Sequence, residues 1–534
     1  MAKAYRPVDR DQVFLLPPAM NDWLSEDHLV WFVIAAVERL DTAAFHSQAR
    51  LGGVGRRGYD PDMLLSLFVY AMAHGERSSR RIERLCQTDV AFRIICAGDA
   101  PDHTVLARFR KEHQPALEGL LTQVLVLCAE LGMLRLGVVA FDGTKVAANA
   151  AKGATYTEAH VRRLAEEFVT SVADTDADED GLFGEESRGD EVPDAVRNRT
   201  DRKARIQQAL EEIERRRTAH QAGTQRQRET AEAYDRARVE GHARPGRPPK
   251  GADPVVVART RWERERARAQ ERYDEWVRRA EQARREGRKL GGPPRVPPDE
   301  HGWVRRARVA YDAALAAAAS AGAASELPEG PEKANLTDPD SRLMKTQDGW
   351  VQGYNCQTAV SEDGFIITAR ATQDANDVHQ FVPTMNAVCE AAERLAGHTG
   401  RDDLDVGTLV GDAGYDSADN LDVEGPDRLI ADGARRDVTK RAAEDPASCD
   451  PPVDATAREK MTHRLRTEEG HALYKRRAPI VEGANAWLKD RRGLRRFSRR
   501  GLQAVQSELA FASAVTNLVK LTTQGVTAVQ LRTG

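Results

Sequence analysis

The stretch VVAFDGTKVAANA, residues 138–150, places Asp142 in a run whose Val138, Val139 and Phe141 are strand formers. Aspartate is depleted from strands and costs several kcal/mol to bury without a partner, so something must offset that cost. A second run, LVGDAGYDSADN, repeats the anomaly: an apolar strand ends at Asp412, and small residues and a turn follow. A third acid, Glu482 in YKRRAPIVEGANAWLKD, stands just after Pro479, which can start a helix, with Val481 and Trp487 available to pack on a sheet. Three converging carboxylates repel one another unless a cation lies between them, and hard divalent ions such as Mg²⁺ take oxygen ligands. Two ions about 3.5–4 Å apart clamp the attacking and leaving oxygens of a phosphodiester in an in-line displacement. The chemistry expected of these residues is therefore metal-dependent cutting of a phosphodiester.

The elements that must position them can be read on either side. Residues 1–125 are helical in pattern: SEDHLVWFVIAAVERL opens at Ser25, and DPDMLLSLFVYAMAHG runs from an Asp/Pro start to a Gly75 stop. The short helices that follow carry Arg80, Arg81, Arg108, Arg110 and Lys111 near turns. That grouping is compatible with a helix-turn-helix on DNA, and equally with a helical module whose arginines are solvated. After the first strand the composition changes abruptly. Residues 155–335 include, from Asp174, the acidic, Gly/Pro-punctuated DTDADEDGLFGEESRGDEVPD and continue as two long polar helices around GHARPGRPPKGADP. Apolar positions are sparse there and Glu/Arg pairs fall three or four apart, which reads as a solvent-exposed helical hairpin inserted into the fold. Its tip, ARPGRPPKG, has a Pro-Gly-Arg247-Pro centre and reads as an ordinary Pro/Gly turn rather than a minor-groove hook, which leaves the arginine-rich hairpin as a secondary candidate for phosphate contact. From 336 the chain returns to strands in GYNCQTAVSE and GFIITARATQ, joined through Asp363-Gly364, and in VGTLVGDAGY and DRLIADGARRD. A helix with a Gly397 stop lies between, and helices around PIVEGANAWLKDRRG and GLQAVQSELAFASAVTNLVKLTT close the chain.

Composition sets the outer limits. With 534 residues, 41% of them hydrophobic, there is material for a multidomain globular protein. The 79 basic and 83 acidic residues leave a net charge of −4, so overall charge selects no partner. Six scattered cysteines form neither a CxxC pair nor a zinc spacing, and no apolar run approaches the roughly 20 residues of a membrane span. A soluble cytoplasmic protein is expected.

The order of strand aspartate, strand aspartate and helix glutamate resembles the DDE triad of bacterial insertion-sequence transposases. The words TDPDSRLMKT, GYNCQTAV, GDAGYDS, LSEDHLVWFV and PDHTVLARFRKEH are similar to passages of one large branch of that family. The resemblance implies an α/β fold: a ribonuclease H-like catalytic core of residues 126–154 and 336–525, a charged helical insertion of 155–335, and an all-α DNA-binding domain of 1–125. It implies Asp142, Asp412 and Glu482 as catalytic ligands of Mg²⁺ or Mn²⁺, two ions in all. It further implies DNA as partner, a homodimer on the element's ends, and a nucleoid-associated place in the cell. In the family the glutamate helix carries Tyr, Arg, Glu and Lys at set spacings. Here Glu482 and Lys489 are seven positions apart, close to two helical turns and so on one face, with the lysine free for DNA phosphate. Tyr474 and Arg477 have the family's mutual spacing, but four residues instead of three separate Arg477 from Glu482. With a helix beginning at Pro479, that pair would sit in a flexible approach toward DNA. The run KDRRGLRRFSRRG adds Arg495, Arg496, Arg499 and Arg500 as a strip for the DNA backbone. Asn376 and Asp377 read more readily as helix N-caps than as groups that back the metal ligands, Asp416 and Asp419 as caps or surface acids, and His103 and His379 more readily as structural hydrogen-bonding residues than as proton carriers. A nuclease without strand transfer, an inactive DNA-binding relic and, for residues 200–290, a coiled-coil scaffold are the competing readings.

Overall fold

The computed structural model describes residues 19–47, 58–166, 194–242, 248–288, 295–320, 333–346, 349–432, 435–448, 450–452 and 454–533. Two compact units appear, one of residues 1–155 with 335–534, the other of 156–334. Side-chain caps set the first helices. α1 (Leu29–Arg39) starts behind His28, whose Nδ1 accepts from the Val30 amide at 3.2 Å, three residues later than a start at Ser25 would place it. Asp60 caps α2 (Pro61–Ala73) with proline in the first turn, Ser78 caps α3 (Ser79–Thr88), and Asp102 caps α4 (His103–Glu112). α5 (Gln114–Glu130) then leads into β1 (Val138–Ala147), the strand of the opening motif.

The second unit holds α6 (Asp194–Val239), α7 (Pro254–Arg285) and α8 (Gly302–Ser320). The first two are the expected polar helices. The third was not foreseen, because the run AALAAAAS offers no apolar–polar contrast for a period to show in. α8 packs on α7 through a stacked pair, Trp262 and Tyr311, 5.8 Å apart and 9° from parallel, with Arg308 4.6 Å above the indole. The centre of the Pro/Gly tip, residues 243–247, lies outside the described residues.

Back in the first unit come β2 (Arg342–Thr346), β3 (Gly349–Ser361), β4 (Ile366–Thr372), α9 (Phe381–Thr399), β5 (Thr408–Gly411) and β6 (Asp427–Ile430). The order across the sheet is β2-β3-β1-β5-β6, with β4 also paired to β3. β1 is antiparallel to β3 and parallel to β5, which is parallel to β6. The β3–β4 hairpin turns at Gly364, whose φ of 79° is the conformation the Asp-Gly signal demands. α9 ends three residues beyond the expected stop, at Gly400 in the left-handed region. Among the helices that follow are α10 (Glu468–Lys475), α11 (Arg477–Ala486) and α12 (Leu502–Thr523). One apolar core runs from Val30 through Phe141 and Phe381 to Leu531, so the N-terminal helices and the sheet share it. Arginines seal the meeting of the chain's two ends: Arg492, 1% exposed, donates to the Ala73 carbonyl, and Arg77 donates to the carbonyls of Gly493 and Arg496 and to Glu508. Gly75 touches the same turn so closely that a Cβ there would lie 2.8 Å from the Arg491 carbonyl oxygen. Among the described residues no helix is long and apolar enough to cross a membrane.

Candidate active site

Strand register brings Asp142 and Asp412 together. β1 and β5 are parallel with Ala140 opposite Val410, so two residues further along each chain the aspartates occupy equivalent places on the same face. Asp412 is the first residue past its strand, and its Oδ1 accepts from the Gly414 amide at 2.9 Å, which makes it a turn cap and a site residue at once. Between the two acids lies Arg477, whose Nη2 is 3.0 Å from Asp142 Oδ1 and 3.4 Å from Asp412 Oδ2. Asn485 Nδ2 donates to the other oxygen of Asp142 at 2.8 Å, and its own Oδ1 accepts from Thr358, the residue opposite Asp142 on β3. Burial pushes the Asp142 carboxyl up to about 6; the Arg477 guanidinium works against that rise and the charge of Asp412 adds to it.

α11 explains the inward arginine. It begins at Arg477, two residues before Pro479, and follows α10 directly, so Tyr474 and Arg477 stand on helices and not in a flexible approach. Arg477, Val481 and Asn485 recur every four residues and are buried. The expected reach of Tyr474 and Arg477 toward DNA is thus corrected: Tyr474 is 9% exposed among Leu429, Ala431 and Leu465, and Arg477 is 4% exposed and turned to the acids. Glu482 is exposed on the same helix, three residues before Asn485 and hence its neighbour on the helix surface. Lys489, in a π-helical turn over Trp487–Arg491, donates to Thr144 Oγ1 two residues beyond Asp142, so its ammonium is held at the sheet instead of being free for phosphate. Among the described residues, one set of three acidic, His or Cys side chains brings its ligand atoms within 4.8 Å of one another: His46, Asp60 and Asp62, around the cap of α2. Asp142, Asp412 and Glu482 are more widely spaced than that. As a test of fit to a divalent cation, the donor set is anionic oxygen, and the gap between the two aspartates already accommodates a cationic group, the guanidinium of Arg477.

The basic strip is largely occupied with the fold. Arg496 donates to the carbonyls of Ala148 and Ala150, each at 3.0 Å, and Arg500 to that of Asn149 at 2.9 Å, pinning the chain just beyond β1. Arg499 donates to the Arg110 carbonyl, and burial holds its guanidinium below its ordinary pKa. Arg495 pairs with Asp490 and stays exposed. Arg110, grouped with the surface arginines in the sequence, donates to the Arg77 carbonyl at 2.9 Å and lies over the Phe68 ring. His103 pairs with Glu83 at 2.8 Å, the structural role expected of it, whereas Asp416, read as a cap or surface acid, is paired with Arg458 at 2.9 Å with its side chain 14% exposed.

Asp377 is the residue that sequence reasoning undervalued. It makes no side-chain cap; its Oδ1 accepts from Asn355 Nδ2 at 2.8 Å and Gln357 Nε2 at 2.7 Å. Gln357 Oε1 in turn accepts from the Tyr415 hydroxyl, three residues after Asp412. Gly143 makes room for this network, since a Cβ there would lie 2.3 Å from Asp377 Oδ1. The alternation GYNCQTAV, with Asn355 and Gln357 two apart on a buried strand, is the signal that could have found it. Replacing Asp377 by Ala strands two buried amides, Asn355 at 1% and Gln357 at 0% exposure. A loss of about 1–3 kcal/mol is expected, read from the urea midpoint at constant m-value.

Comparison with known families now adds to this geometry. Residues 18–112 match the family described as Transposase domain (DUF772), and residues 440–522 match the one described as Transposase DDE domain. The chain is accordingly a transposase, carrying one such domain toward each end. More narrowly, it is a DDE transposase of an insertion element. No curated protein matches the chain significantly, and no solved structure does.

Proposed function

We propose that the protein cuts DNA at the terminal inverted repeats of its element and joins the freed strand to target DNA, with Asp142, Asp412 and Glu482 as its catalytic carboxylates. The observation that carries this reading is the pair of aspartates at matching places on parallel strands, with a buried guanidinium shared between them. Antiparallel β4, β3 and β1 followed by parallel β5 and β6 support a ribonuclease H-like core. DDE transposases generally use divalent metal ions. When bound, Mg²⁺ or Mn²⁺ would neutralise charge on the phosphodiester and lower the pKa of an attacking water.

The protein's own part is positional. Asp142 and Asp412 would hold the ions, with Glu482 completing the set from its place beside Asn485, while Asn485 and Arg477 orient Asp142. Lys489, tied to Thr144, steadies β1 where it carries Asp142. Arg495, paired with Asp490, and Arg496 and Arg500, bound to carbonyls beyond β1, remain exposed and face DNA backbone, and two copies of the chain bring two element ends together. Incubating the purified protein with linear DNA that carries the element's ends, in Mg²⁺ or Mn²⁺, tests the reading. Cut and joined strands are expected. Cutting without joining would make it a nuclease, and binding without cutting would leave a DNA-binding relic.

A further inference from the structure

We propose that the groove between α7 and α8 is a docking surface for the phosphate backbone of duplex DNA. The inference stands apart from the carboxylate site. The groove, about 520 Å³, is lined by Arg261, Arg268 and Arg272 of α7 and by Arg306 and Trp303 of α8. On α7 the residues 261, 265, 268 and 272 follow the spacing of a single stripe, about 16 Å long at 1.5 Å per residue.

Four unpaired guanidiniums line this one groove. Several other guanidiniums of this unit are paired: Arg215 with Glu212, Arg217 with Glu158 and Glu214, Arg266 with Asp299, Arg308 with Asp312. Arg261, Arg268, Arg272 and Arg306 have no ion-pair or hydrogen-bond partner among the described residues. The one acid in the stripe, Glu265, lies 3.5 Å from Arg264. Like charges gathered around one groove repel unless an anion joins them. A small anion would satisfy one or two guanidiniums, whereas a duplex offers a charge about every 1.7 Å of its axis and matches the length of the stripe. Planar guanidiniums bind phosphate oxygens in pairs, and the apolar floor of Trp303 and Ala307 strengthens such contacts by excluding water.

The test uses the full-length protein and compares two fourfold variants of equal charge change. One carries Arg261→Gln, Arg268→Gln, Arg272→Gln and Arg306→Gln. The other carries Arg215→Gln, Arg217→Gln, Arg266→Gln and Arg308→Gln, all paired positions. Duplex affinity is measured by fluorescence anisotropy across a KCl series. With one phosphate per arginine, the groove variant should lose about 3 to 4 from the slope of log K against log salt, and the paired variant less than about 1. Equal losses, or no loss in the groove variant, overturn the proposal. Should circular dichroism show the groove variant misfolded, Arg268→Gln alone must flatten the slope by about 1, and DNA must protect Arg261, Arg268, Arg272 and Arg306 from phenylglyoxal in the parent protein. Modification that DNA does not slow would also overturn it, leaving an acidic protein segment as the occupant. Strand cutting by the parent, scored separately, reports on the carboxylate site alone.

Discussion

Asp142→Asn is expected to lower strand cutting by about 10³-fold or more while leaving the protein at least as stable as the parent. The two halves of this result share one cause. Burial pushes the Asp142 carboxyl up to about 6, so the folded protein favours its protonated form, and the ionised carboxylate is a burden at neutral pH. The sign follows directly: stability from this group is fully present below the ordinary aspartate pKa near 4 and is lost as pH rises through about 6. In the presence of a chelator the parent should therefore lose on the order of 2 kcal/mol between pH 4 and 7 through this residue, and the asparagine variant should not. Thermal melts at a series of pH values, with cutting assayed in parallel, check both halves. A variant that loses activity and stability together would mark Asp142 as a structural residue.

Arg477→Ala is the complementary case. It removes the group that lies 3.0 and 3.4 Å from the two acids and leaves both carboxylates facing a space with no positive charge. Breaking such a buried pairing from one side costs about 3–5 kcal/mol; discounted for the 22% and 28% exposure of the two carboxylates, about 3 kcal/mol is expected. Millimolar Mg²⁺ or Mn²⁺ should restore much of the lost melting temperature in this variant and add less to the parent, because a bound cation supplies the missing charge. Equal stabilisation of both proteins by metal would separate Arg477 from the cation site.

The parts of this arrangement that were legible in the sequence are those written in local chemistry. The runs around Asp142 and Asp412 announce strands by their branched and aromatic residues, and Asp363-Gly364 announces its hairpin because few other residue pairs adopt the turn. The parts that were not legible depend on where a face turns. Moving the start of α11 from Pro479 to Arg477 continues the helical row back through the arginine, so it points to the acids and not to DNA. The strip from Lys489 to Arg500 looks like a surface for phosphate because arginine composition is local, whereas the carbonyls it binds, at Ala148, Asn149 and Ala150, are brought to it by tertiary folding. Asp377 reads as a cap in the sequence because an acid before a helix usually is one. The buried amides that claim it lie 20 and 22 residues away.

The sealed meeting of the chain's two ends has a consequence for how such a gene decays. Arg492 on the Ala73 carbonyl, Arg77 on Gly493 and Glu508, and a core continuous from Val30 to Leu531 make the N-terminal helices part of the same body as the sheet. Copies of mobile elements are eroded by premature stops and deletions. A copy truncated after α5 would expose the apolar face of α5 that packs on α12 and would leave the arginine contacts without partners. Its product would be cleared as misfolded chain instead of persisting as a stable fragment.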